Sequence, residues 1–212
     1  AVHDLGRLMD KYRELRDPLR ILNFLLWDHW GGLNTMLHGL SNGGAVSVLE
    51  DRSPDAVCSL IEEHAIEVLP TSPTFLNLLL LSGAIGRHDL SSLRTVSNGT
   101  EPMPESLLRR LSQALPWVRL HQTYGLIELG VMRSRSRSNT SVWFKLGGDG
   151  YETRVVDGLL EIRARSAMLG YLNAPSPFTH DGWLMTGDAV EVDGDYMRII
   201  GRRSELINVG GE

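Results

Sequence analysis

The chain has 212 residues, 42% hydrophobic and 22% charged, which excludes intrinsic disorder and collagen-like structure and leaves room for one large domain or two small ones. Lys and Arg total 21 against 26 Asp and Glu, a net charge of −5 that argues against a nucleic-acid protein driven by bulk charge. The single cysteine, Cys58, excludes an internal disulfide and a multi-cysteine zinc cluster and suits a cytoplasmic setting, and no apolar run reaches the length of a membrane span.

In chain order, residues 21–26 have the composition of a buried strand, and Gly31-Gly32 opens a helical stretch to Leu40. A second strand is predicted over 45–49. Ser53 precedes Pro54 as an N-cap, and Val57, Leu60, Ile61 and His64 follow at helical spacing. A strand over 66–69, a helix over 73–81, a strand over 93–96, a helix over 104–115 and a strand over 118–120 continue the alternation. Strand and helix in turn predict α/β architecture, a largely parallel sheet with flanking helices, over residues 1–139. From about Asn139 the pattern changes to short strands at 151–156, 159–163, 189–192 and 196–200. The turns Asp157-Gly158 and Gly194-Asp195 are hairpin signals, so residues 140–200 read as a small antiparallel β sheet or barrel. The alternating Arg133 to Ser138 tract reads as a strand with Arg on one face and Ser on the other, ending in a solvated loop.

Several chemistries lack their signatures. Neither Lys11 nor Lys145 follows a glycine as a phosphate loop requires, and there is no G-x-S-x-G elbow and no H-E-x-x-H. Residues 147–150 precede a strand, so they read as a turn and not as a dinucleotide fingerprint. What remains is a set of loops at strand ends, where open α/β sheets bind ligands. Trp27-Asp28-His29-Trp30-Gly31-Gly32 follows the first strand. Ser97-Asn98-Gly99-Thr100-Glu101-Pro102 follows another, with a glycine that permits close backbone approach. His121-Gln122-Thr123-Tyr124-Gly125-Leu126-Ile127-Glu128 follows a third and offers an aromatic face, a glycine and a carboxylate together.

Four motifs carry a resemblance. Tyr124-Gly125-Leu126-Ile127-Glu128 is similar to the Tyr-Gly-x-Thr-Glu of the adenylate-forming superfamily of acyl- and aryl-CoA synthetases, adenylation domains and luciferases. Trp183-Leu184-Met185-Thr186-Gly187-Asp188 resembles its aromatic-x-x-Thr-Gly-Asp, Gly201-Arg202-Arg203-Ser204 its Gly-Arg-x-Asp hinge, and Gly170-Tyr171-Leu172-Asn173 its Gly-Tyr-x-Asn. All four occur in the family's order, and the resemblance covers essentially the whole chain. It implies a central fragment of the large N-terminal domain. The family's phosphate loop would precede Ala1, and 201–212 would be the hinge towards a C-terminal domain carrying the catalytic lysine.

The resemblance also implies roles. Tyr124 would lie against adenine, with Gly99, Thr100 and Glu101 covering its other side, Gln122 near the adenine amino group and Thr123 beside it. Asp188 would bind the ribose hydroxyls with Arg202 alongside, Glu128 would hold Mg²⁺ on the phosphates of ATP, and His29 with Gly125 would line the pocket for a small-molecule carboxylic acid. Ile127 replaces the usual Thr or Ser, whose hydroxyl meets the α-phosphate, and loss of such a bond costs about 1.5–3 kcal/mol. Ser204 replaces the hinge Asp. Simpler readings stand beside these: Tyr124 as core, Asp188 as a turn residue, Glu128 as dipole stabilisation at the start of a helix, His29 as a buried histidine, Asp28 as a cap, Trp27 and Trp30 as packing, and Cys58 as an inert core thiol. The reaction implied is carboxylate plus ATP giving an acyl-adenylate, the mixed anhydride of the acid with AMP, and pyrophosphate, then thioester formation on CoA or the phosphopantetheine of an acyl carrier protein. The rival is a non-catalytic acyl- or nucleotide-binding module or decayed paralogue. An acyl or aryl acid is expected over an amino acid.

Overall fold

The computed structural model describes residues 19–148 and 150–203. The first sheet is built from β1 (Arg20–Asn23), β2 (Ala45–Val48), β3 (Val68–Thr71), β4 (Thr95–Asn98) and β5 (Arg119–Gln122). Between them lie helices α1 (Trp30–Ser41), α2 (Pro54–Glu63), α3 (Pro73–Ser82) and α4 (Glu105–Ala114), with a 3-10 turn at Ala84–Gly86. The strand order is β2-β1-β3-β4-β5 and every pair is parallel, as the strand–helix alternation requires.

Local chemistry sets the helix boundaries. Ser53 and Ser72 cap α2 and α3 by accepting the amides of Ala56 and Phe75, and each is followed by a proline at the first helical position. α3 stops at Gly83 in the left-handed conformation, φ +70°. Helices α2, α3 and α4 bury Val57, Ile61, Leu76, Leu79, Leu108 and Leu111 against Leu22, Leu69, Val96 and Leu120 of the sheet. Cys58 lies in the same core with no exposed surface.

The second sheet comprises β6 (Tyr124–Leu126), β7 (Gly130–Ser136), β8 (Phe144–Gly147), β9 (Tyr151–Val156), β10 (Leu159–Ala164), β11 (Leu184–Asp193) and β12 (Tyr196–Arg202). Its order is β6-β7-β8-β12-β11-β10-β9, antiparallel throughout. Among the described residues β6 and β9 remain at its edges, so it is an open sheet and not a closed barrel. It begins at Tyr124, ahead of the change in sequence character near Asn139. Both hairpin turns occur as expected, with Asp157 and Gly158 at φ +51° and +76° and Gly194 at +59°. In β7 Arg133 and Arg135 face solvent, while Ser134 donates to the Gln122 carbonyl at 2.6 Å and Ser136 accepts the Gln122 amide at 3.3 Å. The serine face thus ties the two sheets together.

Three strands sit further along the chain than their apolar runs. Ile66, Leu93 and Val118 are buried in the core but precede β3, β4 and β5, which run on into polar residues. The first run also ends early, at Asn23, leaving 24–26 in a loop. Glu67, at the foot of the sheet, is 6% exposed and accepts the Arg20 amide at 3.1 Å, with Arg94 Nη1 at 3.2 Å and Arg20 Nε at 3.7 Å. Its main chain bonds both neighbours, through Glu67 N to Arg20 O and Arg94 N to Glu67 O, each 2.8 Å. Glu67→Ala is expected to lower unfolding free energy by about 1–2 kcal/mol in urea titrations, because an amide–carboxylate bond is lost while the half-exposed arginines remain solvated.

Candidate active site

Four strands of the parallel sheet end on buried polar residues: Asn23 on β1, Thr71 on β3, Asn98 on β4 and Gln122 on β5. Thr71, Asn98 and Gln122 are direct neighbours in register. Buried polar groups need partners, so a polar row at the carboxyl ends of parallel strands marks the floor of a binding site. A cleft of about 640 Å³ opens above it, within the size range of small-molecule sites.

One wall is the loop after β4. The Thr123 amide and hydroxyl both donate to the Asn98 carbonyl, at 2.7 and 3.0 Å, pulling the two loops together. A side chain at Gly99 would place its Cβ 2.6 Å from Thr123 Oγ1, so only glycine fits. Thr100 sits at φ +71°, a strained conformation for a β-branched residue. The Glu101 carboxylate then accepts the Thr74 hydroxyl at 2.6 Å and the Thr74 amide at 3.3 Å, at the N-terminus of α3, where the helix dipole favours an anion.

The next wall is the β6–β7 hairpin. Tyr124 leads it, Gly125 pairs with Val131, and residues 127–129 form the turn. Glu128 therefore stands in a hairpin turn and not at a helix start, so dipole stabilisation does not explain it. Ile127 is 72% exposed. Its side chain does not belong to either core.

The third wall belongs to the second sheet. Pairing of β10 with β11 shifts register between Leu159/Ala189 and Glu161/Met185, leaving Thr186, Gly187 and Asp188 opposite Leu160 alone. The extra residues form a bulge, Gly187 takes φ +75°, and the Thr186 hydroxyl donates to Leu160 O at 2.7 Å while accepting the Asp188 amide at 3.1 Å. The bulge aims Asp188 into the cleft. Its Oδ2 accepts the Tyr124 hydroxyl at 2.5 Å and its Oδ1 accepts Arg202 Nε at 3.2 Å. Burial, then the negative Asp188, push the Tyr124 phenol well above its ordinary value, so it stays protonated and donates.

The twelve residues to which the resemblance assigns roles line this one cleft: His29, Gly99, Thr100, Glu101, Gln122, Thr123, Tyr124, Gly125, Ile127, Glu128, Asp188 and Arg202. Tyr124 both belongs to the second core and lines the cleft. His29 is exposed, so it is no buried core histidine, and it is itself the N-cap position of α1, without a side-chain cap bond. Asp28 therefore does not cap that helix. Trp27 is 45% exposed and lies outside the cleft, while Trp30 is half-buried at its edge. Cys58 is a buried core residue, its thiol pushed up to about 11 by burial. Ser204, Lys11 and the residues before position 19 lie outside the described residues.

Two contacts were not foreseen. Tyr171 donates its hydroxyl to Glu128 Oε1 at 2.5 Å, and that carboxylate holds the Tyr171 phenol above its ordinary value. Gln122 Nε2 donates to Ser141 O at 2.7 Å, which leaves the amide oxygen as its acceptor end. Neither partner is near in sequence, and only Gly-Tyr-x-Asn signalled Tyr171. Among the described residues no group of three His, Cys, Asp or Glu could hold a metal unaided. One carboxylate of the lining, such as Glu128, would suffice for Mg²⁺ shared with phosphate oxygens, the usual arrangement for that ion.

Comparison with known proteins identifies the family. Residues 2–171 match the family model described as AMP-binding enzyme. The chain is 33% identical over 202 residues to 4-coumarate–CoA ligase 5 of Oryza sativa subsp. japonica, covering 83% of this chain and 37% of that one. It is 30% identical over 220 residues to indoleacetate–CoA ligase of Aromatoleum aromaticum, covering 94% and 42%. A solved structure of ATP-bound MatB from Rhodopseudomonas palustris shares the fold, with a TM-score of 0.81 at 23% identity over 97% of this chain and 44% of that chain. The chain thus spans well under half the length of these relatives.

Two outcomes are expected from the geometry. Tyr124→Phe removes a bond to a buried carboxylate and should cost about 1.5–3 kcal/mol in denaturant titrations. Cys58 should resist a thiol reagent at pH 8 in the native chain and react fully once denaturant exposes it. Rapid native labelling would contradict its burial.

Proposed function

The chain belongs to the AMP-binding enzyme family of adenylate-forming proteins, and from that premise we propose that it carries the adenine- and acid-binding part of an ATP-dependent carboxylate-activating enzyme of the acyl- or aryl-CoA synthetase type. The observation that supports this most directly is the Tyr124–Asp188–Arg202 contact of the second sheet, which lines a cleft floored by the strand ends of the first.

In this reading adenine lies between the Tyr124 ring and the backbone of Gly99, Thr100 and Glu101, beside Thr123. The Gln122 oxygen, left over from the bond to Ser141, accepts from the adenine amino group. A carboxylate has about four lone-pair sites. Tyr124 and Arg202 take one on each Asp188 oxygen, which leaves one on each for the two ribose hydroxyls. Glu128 would hold Mg²⁺, which when bound offsets charge on the phosphates. His29 and Gly125 border the pocket for the acid.

The chemistry is displacement at phosphorus. A carboxylate oxygen attacks the α-phosphorus, the bond to pyrophosphate breaks, and the acyl-adenylate forms; a thiol then attacks the acyl carbonyl and AMP leaves. The thiol is CoA or carrier-protein phosphopantetheine. Relatives named for 4-coumarate and indoleacetate support an aryl acid. The lone buried Cys58 suits the cytoplasm, and among the described residues no helix is long and apolar enough to cross a membrane. The second reading, a non-catalytic nucleotide- or acyl-binding module, is favoured by one observation. Ile127 places an exposed apolar side chain where the family has a hydroxyl.

Calorimetry on the 212-residue chain tests the proposal. Adenosine should bind, and Asp188→Ala should abolish binding; no adenosine binding by the unmodified chain would refute the nucleotide cleft. Ile127→Thr should tighten AMP binding roughly 10- to 100-fold, the equivalent of about 1.5–3 kcal/mol for a bond to a charged group, with adenosine unchanged. Equal gains for both ligands would show that position 127 does not face the phosphate.

A further inference from the structure

Glu128 is held from outside the cleft by a segment to which no role has been assigned. The amide of Met168 donates to the Glu128 carbonyl at 2.8 Å, and the hydroxyl of Tyr171 donates to its Oε1 at 2.5 Å. The neighbouring Ser166 donates to the Leu129 carbonyl at 2.8 Å, and Tyr151 reaches the same carbonyl at 3.3 Å. The hairpin turn is thus fastened at two successive carbonyls, and among the described residues the bond to the Glu128 side chain comes from Tyr171. Tyr171 itself does not line the cleft, although Glu128 does.

This arrangement has a physical consequence for a single-carboxylate cation site. A free glutamate in a hairpin turn samples several rotamers, and ordering it costs free energy that cation binding must offset. A tyrosine has only two side-chain torsions and a rigid ring. Its hydroxyl on Oε1 selects one Glu128 rotamer and leaves Oε2 for the cleft. Groups that hydrogen-bond a metal-ligating carboxylate from behind orient it, and their loss typically lowers metal affinity ten- to a hundredfold.

We infer that Tyr171 is a positioning residue that orients Glu128 for the divalent cation accompanying the nucleotide. The inference rests on the reading of Glu128 given above and adds a residue to it. Tyr171 touches neither nucleotide nor acid; it acts through Glu128.

The test measures binding, not turnover. ATP is titrated into the 212-residue chain by calorimetry, with excess Mg²⁺ and with a chelator, and the ratio of the two affinities is the magnesium-dependent gain. In Tyr171→Phe the gain should fall about tenfold, while adenosine affinity stays unchanged. In Glu128→Gln the gain should vanish, and adding Tyr171→Phe to it should change nothing more, since both act through one carboxylate. A purely structural role for Tyr171 would instead shift adenosine binding and thermal stability and spare the gain. If Glu128→Gln abolishes the gain and Tyr171→Phe leaves it intact or raises it, the inference about Tyr171 fails while the Glu128 reading stands. If Glu128→Gln leaves the gain intact, the Glu128 reading fails and takes the inference with it.

Discussion

The hydroxyl of Tyr124 bonds to Asp188 across 64 residues of sequence, and the shape of the cleft follows from that contact. In the second sheet β6 and β11 are four places apart, so the bond requires the sheet to curl until its edge strand faces the bulge in β11. Asp188 is 5% exposed, and a carboxylate so buried must be paired or neutralised. Tyr124 supplies a neutral donor and Arg202 a charged one, so the carboxylate is satisfied before any ligand arrives. Tyr124 stands two residues after the end of β5, so this bond sets the antiparallel wall beside the parallel floor, which the serines of β7 bind at Gln122.

Much of this was legible in the sequence. The alternation of apolar runs and helical spacing carries the parallel sheet, since a helix between successive strands returns the chain to lay them parallel. Ser53-Pro54 announced α2 because the side chain and the ring act within one turn. Three of the four motifs, and the Gly99 loop, marked the cleft, and two of these signals are local backbone devices. Gly99 allows a close approach, and Thr186-Gly187-Asp188 forms a bulge that needs a positive φ. Glu128 misled because a carboxylate after a strand fits a helix start as well as a hairpin turn. Only the pairing of Gly125 with Val131 decides between them, and pairing is a property of two segments. β8 was missed for the same reason. It is four residues long, and its partners are β7 and β12.

The displaced strands carry a further lesson. Apolar runs mark where side chains are buried, and Ile66, Leu93 and Val118 are buried before their strands begin. The strands themselves extend to Thr71, Asn98 and Gln122, which hydrophobicity reads as loop. At the carboxyl ends of a parallel sheet a polar residue can be buried and hydrogen-bonded at once: Asn98 Nδ2 donates to His121 O and Gln122 Nε2 to Ser141 O. Sequence periodicity therefore underestimates strands at the end where ligands bind, and a site is signalled where an apolar run gives way to Thr, Asn or Gln before the turn.

The loop after β4 shows how such a site is kept in shape without a ligand. Thr100 holds a left-handed backbone that costs about 1–3 kcal/mol, so the loop would relax unless its ends were fixed. They are fixed on both sides. Thr123 grips Asn98 with two bonds, and Glu101 is drawn to the N-terminus of α3 through Thr74. The anchors come from different elements, β5 and α3, and each element is locked into the first core. Strain at one residue is thus borne by the packing of the whole parallel layer. The backbone at Gly99 is held against Thr123 on the wall of the cleft, where a ligand would require little further ordering of the loop.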